Sequence, residues 1–126
     1  MVLLDANALM IPGRFRVDLF EEIRGLVGAF EPVVLREVVQ ELAGLSRAKG
    51  RDGAAARFGL AMAERCAIQE PDPTASGTVD DRIVAFAVRH GCIVVTNDRG
   101  VRDRLFEQGI GVISMRNQKK MEILRR

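Results

Sequence analysis

A chain of 126 residues that is 48% hydrophobic, with a formal net charge of +2, can bury one core without disulfides or metal staples and is too apolar to be disordered. No apolar run approaches the ~18 residues of a membrane span, and the N-terminus lacks the basic region and apolar core of a secretory leader. Cys66, Cys92 and the lone His90 make no zinc spacing, and the cysteines read as buried free thiols, so the expected location is a reducing cytoplasm.

Along the chain, "VLLD" (Val2–Asp5) reads as a buried strand that ends in an acid. The apolar run Ala8–Pro12 follows, a candidate contact for a homodimer. Leu19, Ile23, Leu26 and Phe30 fit one helix face. Pro32–Leu35 is a strand. Leu35, Val38, Leu42 and Leu45 form the next helical stripe, with Glu41 at its edge and Glu37 further round toward solvent. Ser46–Gly53 is a polar, basic break, and the Ala-rich stretch Asp52–Cys66 has good helix propensity. Strand Ala67–Glu70 leads into the longest loop, Pro71–Gly77. Val79–His90 is a helix capped by Thr78, with Asp81 reaching back in a T-x-x-D box and Gly91 at its end. Strand Ile93–Thr96 runs into Asp98, then helix Arg99–Gly109, then strand Val112–Ser114. The remainder, Arg116–Arg126, holds five basic residues and one acid and reads as a solvated basic tail able to follow a polyanion. About five strands alternating with helices predict a mainly parallel sheet covered on both faces. The domain is expected over residues 1–115, with the tail over 116–126.

The acids are the chemistry. In open α/β sheets the working crevice lies beyond the carboxyl ends of the strands, where Asp5 and Asp98 fall. Asp81 has a capping role; Asp80, beside it, has none and borders the apolar face through Val84 and Ala87. Each acid alone is explained by helix dipoles or solvent. Gathered at one edge, Asp5, Glu41, Asp80 and Asp98 would repel one another unless a cation lay among them. An oxygen-only set suits Mg²⁺ or Mn²⁺, ions that activate water and neutralise a phosphodiester as it is cut. There is no G-x-S-x-G, and one distant histidine makes a hydrolytic triad untenable.

"LLDANAL", "VVQEL", "VDDRIVAFA", "IVVTNDRGVRDRL" and the ending "GIGVISMR" resemble the ordered acidic motifs of the PIN-domain nucleases across essentially the whole chain. The resemblance implies a three-layer α/β/α Rossmann-like fold and Mg²⁺- or Mn²⁺-dependent endoribonuclease activity leaving 5′-phosphate and 3′-hydroxyl ends. It puts Asp5, Glu41, Asp80 and Asp98 on the family's catalytic, metal-holding acids, the D-x-x-I register selecting Asp80 over Asp81. Asn7 and Thr96 fall on supporting polar positions, able to orient a carboxylate or a bound water. Ala6 departs from the threonine common there.

An RNA backbone needs cations at the rim, and Arg14, Arg16, Lys49, Arg51, Arg99, Arg102 and the tail are the candidates. With no Trp or Tyr and six Phe, a base-stacking platform is poorly supported, so recognition is expected to lean on backbone and shape. "ALMIPGRFRVDLFEEIRGL" followed by "EPVVLREVVQEL" looks most like a small archaeal group related to the PIN nuclease of small-subunit rRNA processing. The competing role is a VapC-type toxin with an antitoxin partner. A non-catalytic RNA-binding scaffold is a third reading, disfavoured by the presence of all four acids. A phospho-acceptor receiver is a fourth, disfavoured because "LLDANAL" lacks paired acids.

Overall fold

The computed structural model describes residues 1–125; Arg126, the last residue of the expected tail, lies outside the described residues. In chain order the elements are β1 (Val2–Leu4), α1 (Ala6–Arg14), α2 (Leu19–Val27), β2 (Pro32–Leu35), α3 (Arg36–Leu45), α4 (Gly50–Ala63), β3 (Ala67–Gln69), α5 (Val79–His90), β4 (Ile93–Val95), α6 (Arg99–Glu107), β5 (Val112–Arg116) and β6 (Lys120–Leu124). One sheet takes the order β3-β2-β1-β4-β5-β6, with β1 to β5 parallel and β6 antiparallel to β5. The expected α/β/α architecture is present.

The strand residues explain the sheet. Leu3, Leu4, Val33, Val34, Leu35, Val94, Val95, Val112 and Ile113 are fully buried, as strands sandwiched between helix layers must be. Each such side chain gains roughly 1.5–3 kcal/mol on leaving water. From β1 the chain adds β2 and β3 on one side; β4 returns to β1's other side and β5 follows beyond it. Right-handed crossovers therefore put α1–α4 on one face and α5 and α6 on the other. Packing agrees: α4 lies on α1 and α3, and α5 lies on α6. The order reverses between β1 and β4, and that reversal opens the crevice where α/β sheets place their ligands.

Two features differ from the expectations. Ala8–Pro12 belongs to α1, and Ala8, Leu9, Met10 and Ile11 are all buried in the core, so this run is unavailable as a dimer contact. Pro12 and Gly13 lie in the last turn of α1 and mask its helical pattern. Gly13 and Gly59 let the helices close up. A Cβ on Gly13 would stand 2.8 Å from Ala55 Cα, and one on Gly59 would stand 3.1 Å from Leu42 Cδ2 and 3.3 Å from the Leu9 carbonyl oxygen.

The second difference is at the C-terminus, where most of the basic segment is folded, not a solvated tail. β5 runs to Arg116, and β6 pairs with it from Val112↔Leu124 to Arg116↔Lys120. Met121 is buried, and its N–H donates to Glu22 Oε1 on α2 at 2.9 Å. The connecting turn has φ of 53° at Asn117 and 57° at Gln118, closed by Lys119 N–H donating to Arg116 O at 3.2 Å. Three residues, 117–119, thus join the strands, with two consecutive left-handed residues at the centre of the turn.

Candidate active site

Asp5 stands at the exit of β1 and caps α1. Its Oδ1 accepts from Ala8 N–H at 2.7 Å, and the residue is 7% exposed. Asp98 does the same for α6 after β4, accepting from Val101 N–H at 2.9 Å. Between them Thr96, 1% exposed, accepts from Asp98 N–H at 3.0 Å and hydrogen-bonds the Asp5 carboxyl. The Thr96 hydroxyl thus ties the ends of two adjacent strands together.

The helices supply the other two acids. Asp80 lies in the first turn of α5 on one face of the sheet, and Glu41 lies midway along α3 on the other. Asp5, Glu41, Asp80, Asp98 and the exposed Asn7 all line one recess of about 40 Å³, enough for an ion with a water or two. Burial pushes the Asp5 carboxyl up from 3.8 to about 6, and the charges of Asp80 and Asp98 add to that rise. Burial raises Glu41 as well, with Asp80 second; burial likewise raises Asp80, with Asp98 second. Burial thus dominates each rise, with repulsion among the gathered carboxylates adding to it.

A hard divalent cation fits this donor set and this enclosure. The donors are carboxylate oxygens, and among the lining residues there is no Cys or His. No three of the His, Cys, Asp or Glu side chains among the described residues already stand in a ligand cluster.

Asp81 is separate, as its capping spacing requires. Asp81 N–H donates to Thr78 Oγ at 3.2 Å, and Thr78 N–H donates to Asp81 Oδ2 at 2.8 Å. The Thr78 backbone bond, foremost, and the Arg104 guanidinium 2.9 Å away hold its carboxyl below the usual range.

Two residues near the acids, Arg104 and Arg82, were not singled out from sequence, and a third, Glu37, was placed toward solvent. Arg104 of α6 pairs with Asp81 and also favours the charged form of Asp80. Glu37 was expected toward solvent, but its side chain is 16% exposed, and its Oε2 lies 4.0 Å from Arg82 Nη1. Glu37 Oε2 and Arg82 Nε are buried without a hydrogen-bond partner. Glu37 and Glu41 are one turn apart on α3 and Arg82 follows Asp80 on α5, so this pair spans the two helices that carry the acids. A long-range pair of this kind leaves no signal in local sequence.

The six candidate RNA-binding cations are spread over several surfaces, and none lines the carboxylate recess. Arg14 pairs with Asp52 at 3.2 Å and shares a separate hollow with Arg51. Lys49 stands at the N-cap position of α4 without a side-chain capping bond. Arg16 lines a different one with Phe58. Arg99 directly follows Asp98, and Arg102 lines a cavity with Thr96.

Comparison with known proteins gives concordant results. Residues 2–118 match a family described as a PIN-like domain. The chain is similar to Ribonuclease VapC9 of Archaeoglobus fulgidus, 26% identical over 93% of this chain and 84% of that one. It is similar to Ribonuclease VapC4 of Methanocaldococcus jannaschii, 31% identical over 94% of this chain and 92% of that one. Among solved structures it resembles the PIN domain endonuclease Utp24, with a TM-score of 0.78 and 30% identity, covering 99% of this chain and 91% of that one.

Proposed function

Because the chain belongs to the PIN-like domain family, we propose that it is an endoribonuclease dependent on a divalent cation, Mg²⁺ or Mn²⁺. The observation that carries this reading is the lining of one recess by Asp5, Glu41, Asp80 and Asp98 at the reversal point of the sheet. The relatives named as ribonucleases and as a PIN domain endonuclease support the same chemistry.

On this reading the four carboxylates hold the cation, directly or through water. When bound, the cation supplies charge neutralisation for the scissile phosphate and acidification of the attacking water. The chain's own work is positional. Helix caps fix one oxygen each of Asp5 and Asp98 through Ala8 and Val101 N–H groups. Thr96 sets the spacing between those two residues. Asn7, on the recess wall, orients water or a phosphate oxygen. Substrate approach to so acidic a recess requires the cation first, since phosphate and four unneutralised carboxylates repel.

The test is cleavage of single-stranded RNA with Mn²⁺ by the wild type and by Asp98→Asn. Asparagine keeps the helix cap and removes the charge, so the variant is expected to lose at least about 100-fold in rate. Wild-type rates in the variant overturn the proposal.

The biological role proposed is RNA processing in the cytoplasm, including precursor ribosomal RNA. The VapC relatives favour a second role, the toxin of a toxin–antitoxin pair. Accumulation of precursor rRNA in a deletion strain supports the first. Growth arrest on expression, relieved by a neighbouring gene product, supports the second.

A further inference from the structure

A cavity of about 350 Å³ lies next to the carboxylate recess, lined by Phe15, Thr96, Asn97, Arg102, Ser114 and Met115 together with the hairpin-turn residues Asn117 and Gln118. Thr96 joins the two, since this cavity-lining residue also contacts Asp5 and Asp98 through its hydroxyl. The cavity is at the small end of the roughly 300–1,000 Å³ of ligand pockets, room for one nucleotide and not for a duplex.

Its chemistry is distinctive. No carboxylate lines it. Three side-chain amides do, from Asn97, Asn117 and Gln118, and amides present donor and acceptor side by side, as base edges do. The Asn97 oxygen is held by Met115 N–H at 2.8 Å, leaving its NH₂ to donate. Phe15 supplies an aromatic wall. Arg102 packs over Phe106, 5.9 Å from the ring centroid, and its Nε lies 3.5 Å from the exposed Asp103 carboxylate without a hydrogen bond, so its guanidinium keeps donors for a phosphate. Arg116, Lys119 and Lys120 flank the turn with positive charge.

The turn itself points the same way. Gln118 has φ of 57°, in the second position of a hairpin turn where glycine is the favoured residue. A left-handed glutamine forgoes backbone ease, and such outliers gather at ligand clamps.

We propose that this cavity takes one unpaired ribonucleotide of the RNA strand next to the scissile phosphate. Its base packs on Phe15 and is read by Asn97, Asn117 and Gln118, and its phosphate meets Arg102. The proposal rests on the ribonuclease reading above and adds to it a determinant of base preference.

The test compares wild type with the double variant Asn117→Gly/Gln118→Gly on single-stranded hexaribonucleotides that differ at one position, with Mn²⁺. Glycine suits both turn positions, so Tm is expected to hold or rise. KM is expected to rise about tenfold with kcat little changed, and the base preference beside the cut is expected to flatten. Side-chain amide NMR signals of Asn97, Asn117 and Gln118 are expected to shift when phosphorothioate-linked oligomers are added to the protein with diamagnetic Mg²⁺ present. Unchanged KM and base preference in a variant that still cleaves overturn the pocket, as do unmoved amide signals in a protein that cleaves. A wild type that cuts none of the oligomers, yet whose amide signals move, sinks the ribonuclease reading and upholds the nucleotide pocket.

Discussion

Asp5 is the residue whose environment and charge conflict most. It is 7% exposed and its carboxyl is raised from 3.8 to about 6, chiefly by burial. Between those values the folded state binds more protons than the unfolded one, so metal-free stability falls as pH climbs through that window. At ~1.4 kcal/mol per pKa unit the penalty above pH 6 is about 3 kcal/mol. Asp5→Asn, which can still cap α1, is therefore expected to raise the metal-free Tm by roughly 5–10 °C at pH 8 and to leave it unchanged below pH 4. Thermal melts across pH check this; a variant less stable than wild type at pH 8 contradicts it. Neighbouring Asp80 and Asp81 separate by role. Asp80→Asn should abolish cleavage while Tm holds or rises; Asp81→Ala should lower Tm, through the lost capping box, and keep cleavage. Paired melts and RNA assays distinguish them, and a reversed pattern means the capping spacing misassigned the two. The sequence marked Asp5, Asp98 and Asp80 because strand exits and a capping box are local patterns. Arg104 and Arg82 went unmarked, and Glu37 was placed toward solvent, because their pairing depends on contacts across helices.

At the scale of elements, the parallel strands were legible because runs such as Val33–Leu35 and Val94–Val95 are uniformly apolar, as only strands covered on both faces are. α5 was legible to the residue, its box at Thr78 and its left-handed Gly91, φ 64°, both present. α1 was hidden by Pro12 and Gly13, and Gly13 suits it because Ala55 of α4 packs so close. β6 was hidden by charge: Lys119, Lys120, Arg125 and Arg126 drew the segment toward a tail. The alternation of Met121 and Ile123, buried and half-buried, was the available signal. β6 covers the edge of β5 and anchors to α2 through Glu22. Ending the chain after Arg116 is therefore expected to lower stability by several kcal/mol and to promote association through the bared edge. Urea unfolding and light scattering measure both; an unchanged, monodisperse truncation would mean that β6 contributes nothing to the fold.

For the molecule as a whole, the fold's one reversal of strand order decides where function can sit. Two crossovers lead one way from β1 and one leads the other way from β4. Only the crevice between them has helices from both faces at its lip, and α3 and α5 bring Glu41 and Asp80 to it. Arg14, Arg51 and Arg16 line hollows separate from the recess, so on the proposed function long-range attraction of RNA and charge on the metal side fall partly to different surfaces. The polar cavity beside Thr96 then lies next to the recess in which a strand would be cut. The measurement closest to this account is anomalous scattering from crystals soaked in Mn²⁺. The account predicts a peak in the recess bounded by Asp5, Glu41, Asp80 and Asp98, lost in Asp98→Asn. RNA cleavage by a protein whose Mn²⁺ peak lies elsewhere, or that has none, would contradict it.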